Sequence, residues 1–148
     1  MLVGIAVHLK GPDDPLKLLA LGWMLVAALS TINCGVPAWL KSYVLNVANY
    51  VKSTDFFHGA LRIFVHNLVV LLLCYILGKG YYGFVAANTA LVSASLSRGY
   101  PFGVVFGGHT LLELYSYSLA TTRRKRDLVK AVAYLALAAA FEETAIRF

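Results

Sequence analysis

Arg62-Ile63-Phe64-Val65-His66-Asn67-Leu68-Val69-Val70-Leu71-Leu72-Leu73-Cys74-Tyr75-Ile76-Leu77 runs directly into Gly78-Lys79-Gly80. An apolar stretch of this size, stopped by glycine, approaches the roughly 20 residues that carry a helix across a bilayer. It holds a histidine and an asparagine side by side near its start. The same pattern returns downstream. A second apolar run, about Tyr82–Ser97, carries Asn88, and a third opens with Gly107-Gly108-His109 and carries Glu113. Polar groups in hydrocarbon are costly, so they are expected to face a protein interior or a wet cavity and to find partners there.

Composition agrees with a membrane class. Of 148 residues, 59% are hydrophobic and 14% charged, and the mean hydropathy is +0.71. A soluble domain of this size carries about a quarter charged residues, and so much apolar side chain exceeds what one core hides. Met1–Leu9 is apolar but short, has no preceding positive charge, and is followed by Pro12-Asp13-Asp14-Pro15. It makes a poor signal peptide and is expected to be retained as an interfacial segment. Cys34 and Cys74 lack metal-ligand spacing and read as free buried thiols. The net charge of +6 sits beside the apolar runs. That placement suits membrane orientation and anionic headgroups better than nucleic acid, which is not expected as a partner.

Five spans follow from the apolar runs and their breaks: about 16–32, 60–77, 82–97, 102–122 and 128–146, in a single domain over 1–148. Between the first two, Trp39, Leu40, Tyr43, Val44, Val47, Tyr50 and Val51 recur at three- and four-residue spacing, while Ser42, Asn46, Asn49 and Ser53 share the other face. This predicts an amphipathic helix on the membrane surface, or one packed over the end of the bundle. Ser53-Thr54-Asp55 offers a cap for the helix that follows. The fold class is therefore all-α and polytopic, with about five transmembrane helices and one amphipathic interfacial helix. Trp23 and Trp39 are candidate interface anchors.

On that topology the N-terminal side collects Lys10, Lys17, Lys79, Arg123, Arg124, Lys125, Arg126 and Lys130, against Lys41, Lys52, Arg62, Arg98 and Arg147 opposite. The positive-inside rule then places the N-terminus and the basic loop Arg123, Arg124, Lys125, Arg126 in the cytoplasm and the C-terminus outside.

The candidate site is a polar core cluster of Asn67, Asn88, His109, Glu113 and Glu142. His109 and Glu113 lie one helical turn apart on one face and suit a hydrogen-bonded lock, a proton relay or half of a metal site. The lock is preferred, because no HExxH-type motif or further histidine at matching spacing accompanies them. Asn67 and Asn88 are expected to bond between helices, at on the order of 1 kcal/mol each. Of the adjacent Glu142 and Glu143, one is expected to face inward and the other to reach the interface. Gly103 and Gly107 suit close helix packing. Gly78-x-Gly80-x-x-Gly83 has the letters of a dinucleotide fingerprint, but apolar helices flank it where a strand is needed, so a tight turn explains the glycines. The serines lie outside any Gly-x-Ser-x-Gly motif. No catalytic residue, metal or cofactor is assigned.

Taken in order, these residues resemble the stage II sporulation protein M family of five-span membrane proteins, chiefly from Phe64 to Glu142. The early asparagine of that family's second span is matched by His66-Asn67, and the Asn-Gly of its third by Asn88, with Thr89 in place of glycine. Its His-Gly-x-x-Glu-Leu is matched by His109, Glu113 and Leu114, with Thr110 in place of glycine, and its basic loop and terminal acid by Arg123–Arg126 and Glu142 or Glu143. The resemblance implies a non-enzymatic membrane scaffold or complex subunit, similar in role to one that holds peptidoglycan-degrading enzymes during sporulation. Its partners would be the lipid bilayer and further copies or other membrane-protein subunits. The alternative expectation is an oligomeric transporter or channel for a proton, ion or small solute, with the same cluster lining the path. An intramembrane metal hydrolase ranks last.

Overall fold

The computed structural model describes residues 14–31, 38–51, 55–96 and 108–147. They form an all-α fold of six helices: α1 (Pro15–Thr31), α2 (Ala38–Val51), α3 (Phe56–Leu77), α4 (Lys79–Leu96), α5 (Gly108–Ala120) and α6 (Lys125–Arg147). Met1–Leu9, Cys34, Gly103 and Gly107 lie outside the described residues.

Local chemistry sets the ends of these helices. Pro15 opens α1, where its missing N–H costs nothing, and Asp14 Oδ1 accepts from the Leu16 N–H at 3.0 Å. At α3, Asp55 takes the extended conformation of a cap and accepts from the His58 N–H at 3.2 Å. That cap starts α3 at Phe56, earlier than the apolar run near Ala60 suggests. The break after α3 is a single residue. Gly78 has φ 74°, and its N–H bonds to the Cys74 carbonyl at 2.8 Å. Gly80 and Gly83 belong to α4, and a Cβ on either would meet nothing within 4 Å. The glycine-rich turn expected over Gly78–Gly83 is thus one left-handed glycine followed at once by helix.

Three contacts fix the direction of the helices. Tyr82 Oη donates to the Leu18 carbonyl at 2.9 Å, so α4 begins where α1 begins. Arg123 Nη2 donates to the Ile76 carbonyl at 2.7 Å and Nε to Tyr75 at 3.2 Å, so the α5–α6 turn sits at the end of α3. Gly59, in the first turn of α3, lies under the carboxyl of Glu143 near the end of α6. One end of the bundle therefore holds the starts of α1, α4 and α6 with the ends of α3 and α5. The five helices alternate in direction.

At the centre is α5. Thr110, Leu114 and every residue from Ser116 to Thr121 are buried. A helix enclosed this way must satisfy its own polar side chains. Ser116, Ser118, Thr121 and Thr122 each donate to a carbonyl three or four residues earlier, at 2.7–2.9 Å. The hydroxyls thereby become compatible with the apolar packing of Leu71, Cys74, Ala131 and Leu135 around them.

The outer surface is the reverse. On α3, Leu61, Val65, Val69, Leu72 and Ile76 are exposed at helical spacing, as are Leu137 and Phe141 on α6. Among the described residues, α3 is the helix long and apolar enough to cross a membrane, with 22 residues.

α2 packs against the first half of α3. Its Tyr43 hydroxyl and His66 Nε2 are 3.1 Å apart, and the Tyr50 carbonyl accepts from Arg62 Nη1 at 3.1 Å. The Arg62 guanidinium also lies 5.8 Å from the centre of the Tyr50 ring.

Candidate functional site: a polar contact between three helices

Asn67 faces inward because His66 faces α2; adjacent helical residues point about 100° apart. The Asn67 side-chain amide donates to Glu113 Oε1 on α5, 46 positions away in sequence. The Glu113 carboxyl also shares a hydrogen bond with the carboxyl of Glu142 on α6. The contact therefore joins α3, α5 and α6. The Tyr117 ring, one turn beyond Glu113, is buried beside it.

Glu143 departs from expectation. Both acids of the pair turn inward. Glu142 meets Glu113, while Glu143 is only 3% exposed and covers Gly59 on α3. Helix α6 is wedged between α5 and α3, so two side chains about 100° apart each find a protein neighbour. Glycine at position 59 leaves the space; a Cβ there would run into the carboxyl group. Sequence reading passed over Gly59, although a glycine four residues past an Asp cap is a usable sign of close approach.

Two residues expected in the cluster make no bond to it among the described residues. Asn88 Nδ2 donates to the Phe84 carbonyl of its own helix at 2.8 Å, which replaces the interhelical bond expected of it. His109 is half-buried at the start of α5, and no ion pair joins it to Glu113 among the described residues. The contacts of Glu113 run to Asn67 and Glu142 instead. No group of three His, Cys, Asp or Glu side chains among the described residues is arranged to hold a metal. Cys74 is a buried free thiol.

The basic loop is divided in function. Arg123 has φ 58°, a conformation that costs a non-glycine residue about 1 kcal/mol. Its guanidinium spans two carbonyls left open at the end of α3. Arg124, Lys125 and Arg126 are exposed. A further contact that spacing hid is Tyr82, whose hydroxyl packs on the face of Gly22 while it bonds to Leu18.

Compared with known proteins, the chain matches no family model, no curated protein and no solved structure.

Proposed function

We propose that this chain is a multi-pass membrane scaffold or complex subunit, in which α1, α3, α4, α5 and α6 cross the bilayer and Asn67, Glu113 and Glu142 fasten the bundle. The observation that carries this reading is the joining of three helices through Glu113 inside a bundle whose outer face is leucine, valine and phenylalanine. In water such a surface is an aggregation liability; in lipid it is the ordinary exterior, and the polar groups belong inside. Every buried side-chain nitrogen or oxygen among the described residues has a hydrogen-bond partner. The polar groups are thus engaged in holding helices together, which suits a structural part. The order of Asn67, His109, Glu113 and Glu142 keeps the resemblance to the stage II sporulation protein M family as our proposal for its relatives. The cationic end of the bundle is placed in the cytoplasm.

Two measurements test this. The protein should stay with membranes through alkaline carbonate extraction. Solubilised in mild detergent, it should form a particle heavier than one 16.1 kDa chain; a lone monomer overturns the scaffold reading.

One observation favours a second reading. Two carboxyls that meet inside the bundle, Glu113 and Glu142, are a natural station for proton-linked transport through an oligomer. Proton flux into liposomes that is the same for wild type and Glu113→Gln removes it.

A further inference from the structure

We propose that the cationic end of the bundle binds anionic phospholipid headgroups, with Arg124, Lys125, Arg126 and Lys130 as the contacts. The proposal rests on the membrane-spanning reading above. It starts from how the fold distributes the cations. Arg123 is engaged in closing α3 through Tyr75 and Ile76. The next four are exposed, and no ion pair engages them among the described residues. Asp127, the acid in the first turn of α6, accepts from Thr122 Oγ1 at 2.8 Å and is held toward the turn.

Helix stability does not account for the cations. Lys and Arg oppose the dipole at a helix N-terminus and favour the other end, yet Lys125 and Arg126 stand in the first turn of α6. The fold also brings Lys17 of α1 to this end, since neighbouring Leu18 accepts from Tyr82 just past the Gly78 turn. The apolar surface identifies the kind of anion. Val129, 71% exposed, lies between Arg126 and Lys130, and the same face of α6 continues through Leu137 and Phe141, both more than half exposed. One helix face therefore passes from cations to hydrocarbon within a few turns, with long basic side chains able to reach outward. A molecule with a phosphate head and an acyl tail matches both parts. A free phosphate ion matches only the first.

The test uses purified full-length protein in nanodiscs of phosphatidylcholine alone or of phosphatidylcholine with phosphatidylglycerol, reading the thermal midpoint and the lipid retained in native mass spectrometry. The wild type should retain phosphatidylglycerol and unfold at higher temperature in its presence. The variant with Arg124→Gln, Lys125→Gln, Arg126→Gln and Lys130→Gln should lose at least tenfold in phosphatidylglycerol retention. The variant that exchanges Lys and Arg at these four positions should keep it, which separates charge from damage to the fold. The proposal is overturned if the two lipid compositions give the same midpoint and retention, if the four-Gln variant retains phosphatidylglycerol as the wild type does, or if inorganic phosphate added to detergent-solubilised protein gives the same stabilisation. Release of the wild type by alkaline carbonate is a different failure, because it removes the membrane reading itself.

Discussion

Asn67 on α3 donates to Glu113 on α5, and this bond reaches across 46 positions of chain. Glu113 is also bonded to Glu142, so its replacement affects two neighbours together. Glu113→Gln keeps an acceptor for Asn67 and gains donors for Glu142, so stability should stay within about 1 kcal/mol of wild type. Glu113→Ala leaves both neighbours without their partner and should cost about 1–3 kcal/mol. Thermal unfolding in detergent, followed by helical circular dichroism, separates the two. Equal loss from both variants would mean the contact is not the fastening.

Gly59 gives a steric test. Because the Glu143 carboxyl lies where a Cβ would stand, Gly59→Val should destabilise by about 1–3 kcal/mol, as overpacking does. Adding Glu143→Ala should recover part of the loss by opening the space. Unfolding midpoints of the single and double variants measure this coupling.

Arg123 combines a favourable cap with an unfavourable backbone conformation. Arg123→Ala keeps the left-handed φ and loses the bonds to Tyr75 and Ile76, at about 1–2 kcal/mol. Arg123→Gly loses the same bonds but accepts that φ readily, so it should be the milder change. Chemical denaturation of the three proteins gives the order, and a glycine variant as weak as the alanine one would count against strain at this position.

Tyr82→Phe removes the bond to the Leu18 carbonyl and should cost about 1 kcal/mol. Gly22→Ala pushes on the same hydroxyl from the other side. In the double variant the two losses should sum to less than their separate values, because phenylalanine leaves room for the added methyl. A double-mutant cycle on thermal midpoints reads this.

The helices were legible because their signals are local. Apolar runs, Pro15, Asp55 and Gly78 mark starts and stops without reference to any neighbour. Glu113 and Asn67 stood out for the same reason, as polar residues in greasy sequence. What local pattern does not carry is which neighbour a side chain meets. Asn88 is as polar as Asn67 yet bonds to its own backbone, and Glu143 turns inward because α6 lies between two helices. His109 and Glu113 share a face, but facing the same way is not contact; nearer partners on α3 and α6 hold the acid. The role of Arg123 was hidden in a run of four cations, since only its backbone angle separates it from Arg124.

The central position of α5 bears on how the chain is made. Its neighbours α1, α3 and α4 precede it from the ribosome, but Glu142, which meets Glu113, arrives after it. Until α6 emerges, the nascent helix holds an acid without its second companion, and this three-helix contact closes only once α6 is made. A polypeptide halted before Lys125 is thus the form that cellular quality control should recognise and degrade.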